Sequence, residues 1–170
     1  MQSTEIINQI FQAAQAGDAS RLKNILEEHP QLANTANSDG LTPLGYAAHF
    51  GNKDAVQVLL GYGAAIDAVS HSQVSYIPSN TALHAAIAGE RSLDVIGLLL
   101  SNHAQTTIND SDGHTCLHTA AFHSDNVELI QLLLQHGADV QAATESGDTA
   151  LSLAIQQGNN NVAKFLSDYR

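Results

Sequence analysis

The chain has 170 residues, 44% of them apolar, and sets six basic against seventeen acidic side chains for a formal net charge of −11. That length suits one domain, that charge repels a phosphate backbone, and no apolar run reaches the roughly 18 residues of a membrane-spanning helix. Nucleic acid and membrane are therefore not expected as partners, and a lone cysteine, Cys116, which cannot close an internal disulfide, points to a reducing cytoplasm.

From the N-terminus, Met1-Gln2-Ser3-Thr4-Glu5 lacks the basic and apolar regions of a secretory leader. The apolar positions Ile10, Ala13, Ala14, Leu22, Ile25 and Leu26 then space out two short helices, broken at Gly17, with Glu5, Asn8, Gln9, Gln12 and Gln15 expected to face water. A second pair opens with Thr42-Pro43-Leu44 and continues with Val56, Leu59 and Leu60 at i, i+3 and i+4. Thr81-Ala82-Leu83-His84 begins a third, whose second helix carries Ile96, Leu99 and Leu100. Thr115-Cys116-Leu117-His118 begins a fourth, with Ile130, Leu133 and Leu134 in its second helix, and Thr149-Ala150-Leu151 a fifth. The last helix is read through Val162, Phe165, Leu166 and Tyr169, with Lys164, Ser167, Asp168 and Arg170 facing the other way. Such a polar-backed end is what a capping pair needs, and the array is expected to be complete.

The opening threonines stand 39, 34 and 34 positions apart, so the chain is an array of self-similar helical pairs. A helix of about ten residues is marginal alone in water, so each pair depends on its neighbours. The threonines are placed to cap the first helices, with Pro43 in a first turn that tolerates proline. Gly63 and Gly137 are placed as left-handed caps, and Asp39-Gly40, Asp112-Gly113 and Ser146-Gly147 as tips of projecting turns. The third unit departs from this pattern: residues 70–80 form a longer connection, read as an exposed finger, and His103 replaces the closing glycine, which puts a side chain at positive φ. One extra residue falls between helices near residues 89–92 and again near 123–126.

Thr42-Pro43-Leu44 with Ala47-Ala48, Thr115 with Leu117-His118 and Ala120-Ala121, and the closings Leu59-Leu60-Gly61-Tyr62-Gly63-Ala64 and Leu133-Leu134-Gln135-His136-Gly137-Ala138 together resemble the ankyrin repeat family. The resemblance implies an all-α ankyrin-repeat solenoid of about five helix-turn-helix repeats with projecting β-turn or hairpin fingers. It implies one domain over residues 1–170, with repeats at approximately 5–36, 37–68, 69–108, 109–142 and 143–170 and the finger insertion at 70–80.

Nine histidines raise the question of a metal, and His114-Thr115-Cys116-Leu117-His118 offers both imidazole and thiol. Cys116, however, stands where Pro43, Ala82 and Ala150 stand in the sister units, a small buried position. His84 and His118 match the family's structural histidine, while His29, His103 and His136 fall at helix ends, where imidazole meets free carbonyls. The string Ser20-Arg21-Leu22-Lys23 has no companion catalytic motif, and Leu22 is a core position. No metal, cofactor or enzymatic activity is expected.

Recognition by surface remains. The family's usual partner site is the concave side, made of turn tips and first-helix ends. On this sequence the implied tip residues are Asp39, Leu41, Tyr76, Ile77, Asp112, His114, Glu145 and Asp148. The implied helix-end residues are His49, Phe50, Phe122, His123, Gln156 and Gln157. Phe50, Phe122 and Tyr76 would anchor the contact, or the two phenylalanines would tuck into the core instead. The acidic tips favour a partner protein with a basic surface. A monomer is expected. The alternative is self-association through Tyr76 and Ile77, with a small metal protein or enzyme using the histidines a lesser one.

Overall fold

The computed structural model describes residues 2–169. Among the described residues the regular structure is helical apart from one isolated bridge between Ala143 and Thr149, and the chain divides into two compact units, one up to Ala104 and one from Gln105 onward.

The first unit contains α1 (Gln2–Ala16), α2 (Ala19–Glu28), a 3-10 turn (Pro30–Asn34), α3 (Pro43–His49), α4 (Lys53–Gly61), α5 (Ala82–Gly89) and α6 (Leu93–Ser101). The odd-numbered helices stack side by side, α1 on α3 and α3 on α5, while α2 packs on α4 and α4 on α6. The second unit contains α7 (Cys116–His123), α8 (Val127–Gln135), α9 (Ala150–Gln157) and α10 (Asn160–Asp168) and repeats that arrangement, α7 on α9 and α8 on α10.

The sequence explains each boundary. Thr42, Thr81, Thr115 and Thr149 are the N-caps of α3, α5, α7 and α9, their hydroxyls accepting the N–H three residues on, from Gly45 (3.0 Å), His84 (3.4 Å), His118 (3.5 Å) and Ser152 (3.2 Å). Gly63 and Gly137 follow α4 and α8 at φ 89°, and His103 takes the same left-handed turn at φ 67°. The first helices meet through alanine: Ala13, Ala47, Ala120 and Ala154 are all 0% exposed. The second helices fill the remaining space with Leu22, Val56, Leu59, Leu99, Ile130, Leu133 and Val162, each buried.

Neighbouring pairs are also stitched by a side chain. Asn52 Nδ2 donates to the carbonyls of Ala14 (2.7 Å) and Gln15 (2.9 Å), and Asn159 Nδ2 does the same to Ala121 (2.8 Å) and Phe122 (3.2 Å). Each asparagine follows a glycine at φ 73°, Gly51 or Gly158, and satisfies carbonyls that the end of the preceding first helix leaves free.

Three details add to the sequence reading or differ from it. The segment 70–80 is fastened at its base, since Ser70 N–H donates to Asn80 O (2.9 Å), His71 N–H to Gly40 O (3.1 Å) and Gln73 N–H to Asp39 O (2.8 Å), which leaves Ser70 4% exposed and Tyr76 84% exposed. Gln9 is half-buried, and α10 ends at Asp168, so that Tyr169 is extended backbone (φ −73°, ψ 130°).

Candidate partner-binding surfaces

In the second unit two turn tips are built by side chains that hold the backbone. Asp110 Oδ1 accepts the N–H groups of Asp112 and His114, both at 2.9 Å, and Gly113 takes φ 82° to close the turn. Thr144 Oγ1 plays the same part for the Asp148 N–H (3.1 Å), with Gly147 at φ 88°.

The Asp148 carboxylate is the most organised group of this surface. Its oxygens accept from Gln156 Nε2 (3.0 Å), Ser146 Oγ (3.0 Å) and Ser152 Oγ (3.3 Å). The Gln156 hydrogen bond first, then that of Ser146, holds its carboxyl below the ordinary range, so it stays ionised. The sequence reading selected Asp148 and Gln156, and the structure joins them through two serines as well, Ser146, which that reading set at the turn tip, and Ser152, which it did not select. Those two come from the turn and from the third position of α9, and their convergence depends on a fold that spacing alone does not draw.

Phe122, at the end of α7, is 43% exposed, with its ring edge-on to His123 at 5.1 Å. Asp112, His123, Glu145, Gln156 and Gln157 are exposed, and His114 is half-buried with Nδ1 3.9 Å from Asp110 Oδ1.

Asp110, Asp112 and His114 bring one ligand atom each to within 4.8 Å of one another, the one such group among the described residues. Asp110 Oδ1 is already occupied by two backbone N–H groups. Cys116 and His118 point elsewhere. Cys116 Sγ donates to Thr106 O at 3.2 Å, and burial pushes its thiol pKa to about 12, leaving a poor ligand and an unreactive nucleophile.

His118 fixes the turn to the helix. The Thr115 N–H donates to its Nδ1 (3.1 Å), so that nitrogen carries the lone pair, and Nε2 holds the proton that it donates to Asp148 O (3.1 Å). Burial, the largest cause, lowers its pKa below 6.5; the Asp148 carbonyl opposes this, His114 adds to it, and Asp110 opposes it weakly. With the folded value below the unfolded one, the unfolded chain binds the extra proton first, so this stabilisation is complete above 6.5 and is lost as pH falls through the folded value. Chemical denaturation of the protein is expected to show stability falling on acidification from about pH 7 to pH 5, with a shallower fall in His118→Gln. Equal slopes in the two proteins would overturn the assignment.

In the first unit, Asn37 Oδ1 accepts from Asp39 and Leu41, both at 3.0 Å, the same turn that Asp110 builds. Asp39 is exposed; Leu41, His49 and Ile77 are half-buried. Phe50 is half-buried too, edge-on to Tyr46 and to His49 at 5.1 Å each, with the Arg91 guanidinium 5.3 Å from its ring centre. Tyr46 in turn meets Phe11 at 5.1 Å, so Phe50 is the outer member of an aromatic row, whereas Tyr76 stands clear. A shallow cleft of about 530 Å³ lies between α2 and α4, lined by residues that include Lys23, Asp54 and Tyr62.

No helix among the described residues is long and apolar enough to cross a membrane. The family profile for ankyrin repeats (3 copies) matches residues 10–110 and 83–170. A transient receptor potential cation channel subfamily A member 1 homolog of Caenorhabditis elegans is 42% identical over 55 residues, 32% of this chain and 4% of its own length. The human NAD-capped RNA hydrolase NUDT12 is 38% identical over 69 residues, 41% of this chain and 15% of its own. A putative ankyrin repeat protein of fowlpox virus, FPV031, is 39% identical over 75 residues, 44% of this chain and 20% of its own. The chain thus spans a fifth or less of each of these three relatives.

Proposed function

This chain belongs to the ankyrin repeat family, and from that premise we propose a non-catalytic module that binds a partner protein with a basic surface, through the turn tips and first-helix ends of each unit. The observation that carries this reading is the Asp148 carboxylate, ionised and held by three donors before any partner arrives. A prearranged acceptor loses little freedom on binding, and a residue 84% exposed on a fastened loop, Tyr76, is similarly ready.

Around Asp148 the second unit offers Asp112, His114, Glu145, His123, Gln156 and Gln157, with Phe122 as the apolar anchor. The first unit offers Asp39, Leu41, His49, Phe50, Tyr76 and Ile77. Acidic tips act on encounter rate and partner choice, and aromatic anchors on residence time. The hydrolase and the channel are matched over too small a share of their lengths to lend either activity to this chain. The buried thiol Cys116 fits a cytoplasmic setting.

The test is capture from native lysate by wild type beside a Tyr76→Ala, Phe50→Ala, Phe122→Ala variant with matched circular dichroism and melting. A partner held by wild type and lost by the variant supports the surface; in a purified pair, Phe122→Ala or Tyr76→Ala is then expected to weaken binding by about 1 to 3 kcal/mol. Asp148→Asn is expected to slow association and flatten its salt dependence. Equal retention by wild type and variant would remove these residues from the interface.

A further inference from the structure

The connection between α5 and α6 is longer than the one between α3 and α4. From N-cap to N-cap, Thr81 to Ser92 spans one residue more than Thr42 to Asn52. Glu90 makes there, at φ 53°, the left-handed turn that Gly51 makes at φ 73°, and Arg91 is the added residue. Such backbone is unfavourable for a residue with a Cβ, and it carries Arg91 onto the preceding pair. The Arg91 guanidinium lies 5.3 Å from the centre of the Phe50 ring. A Cβ on Gly51 would stand 2.9 Å from the Cβ of Arg91, so the glycine leaves room for the arginine stem while the ring seats its head.

Asp125 holds the same place in the second unit, where Thr115 to Asn126 is also one residue longer, and its carboxylate is used inside the fold. It accepts from Asn161 Nδ2 (2.8 Å) and from the Val162 N–H (2.9 Å). Arg91 is exposed, and among the described residues its guanidinium has the Phe50 ring beside it and neither a hydrogen bond nor an ion pair. Stacking occupies a face of the guanidinium and leaves its edge of N–H donors unused. That edge is a planar fork matched to a carboxylate by two parallel hydrogen bonds, and a fork already held by a ring loses less freedom when the anion arrives. In a chain of net charge −11 a dianion such as phosphate is repelled more than a singly charged carboxylate. The half-buried Phe50 and Tyr46 rings offer apolar contact next to the charge.

We propose that Arg91, seated on Phe50, binds a carboxylate side chain of the partner protein together with an apolar side chain beside it. This rests on the reading that the first-helix ends meet a partner, and it gives that partner an acidic spot within its basic surface. Arg91 thereby sets how the partner is oriented, since the same carboxylate laid on the acidic tips is repelled. The site can be probed without the partner, so its failure is told apart from failure of the partner-binding reading: lysate capture decides the latter and a titration decides this.

Phenylacetate, which joins a ring to a carboxylate, is titrated into the isotope-labelled protein while NMR follows the arginine Nε–H groups and the Phe50 ring. The Arg91 and Phe50 signals are expected to shift together and to saturate in the millimolar range, as suits so small a ligand. Arg21, exposed on α2 and in no ring contact among the described residues, is expected to stay in place. Phenylacetamide, of the same shape without the charge, and inorganic phosphate are each expected to bind at least about tenfold more weakly. Arg91→Lys keeps the charge and loses the planar fork; read at the Phe50 ring, it is expected to weaken phenylacetate about tenfold, with melting unchanged because residue 91 is exposed. No saturable shift, equal binding of phenylacetamide, tighter binding of phosphate, an equal response at Arg21, or an unaltered titration in Arg91→Lys would each overturn the proposal.

Discussion

Gly89→Ala is expected to cost about 3 kcal/mol of stability, seen as a lower urea midpoint by circular dichroism. Gly89 ends α5 against the end of α3, and a methyl group built on it would overlap the His49 carbonyl oxygen and lie 2.9 Å from the carbonyl carbon and 3.2 Å from the α-carbon. Those are backbone atoms, fixed by α3, and cannot swing aside as a side-chain tip would. Gly97→Ala supplies the opposite result. That glycine sits inside α6 with nothing within 4 Å of an added methyl, and alanine there is expected to stabilise by about 0.5 to 1 kcal/mol through helix propensity. Similar effects at the two positions would mean that α3 and α5 do not approach as closely as described.

Gly40→Ala is expected to cost about 2 to 3 kcal/mol and to loosen the 70–80 segment as well. Two terms combine. Gly40 sits at φ 76°, where a side chain costs about 1 kcal/mol. An added methyl would also overlap the His71 carbonyl oxygen and stand 2.7 Å from its carbon. The same stretch of backbone accepts the His71 and Gln73 N–H groups through Gly40 O and Asp39 O. Hydrogen exchange at those two amides is therefore expected to speed up together. Gly113→Ala, at φ 82° in open space, isolates the backbone term and is expected to cost only about 1 kcal/mol. Unchanged exchange at His71 and Gln73 in Gly40→Ala would show that the segment is held by something other than this contact.

The fold was legible because its information is periodic and local. Threonine caps, alanine pairs and leucines at i, i+3 and i+4 recur at fixed intervals, and each needs only its own helix to make sense. The surface was legible only in part. Asp148 could be chosen as a tip residue, yet its carboxyl is held below the ordinary range by Gln156 first and then by Ser146 and Ser152, whose hydroxyls would suit any polar surface. Phe50 reads like Phe122 in sequence, each followed closely by a turn. It differs in space because Tyr46, one turn earlier, and Arg91, some forty residues on, reach its ring. The finger was expected to be exposed, as Tyr76 at its tip is; backbone hydrogen bonds to Asp39 and Gly40, which side-chain identity does not announce, tie its base down.

The asparagine stitches have a consequence for variation. Asn52 and Asn159 reach back to main-chain carbonyls, those of Ala14 and Gln15 and of Ala121 and Phe122. A carbonyl is the same atom whatever side chain its residue bears. The outward-facing partners, Gln15 and Phe122, can therefore mutate freely while the pairs stay joined, because the joint reads no side chain there. Persistence of the architecture and novelty of its ligands are thereby written in different atoms of the same residue, and selection can alter one without editing the other.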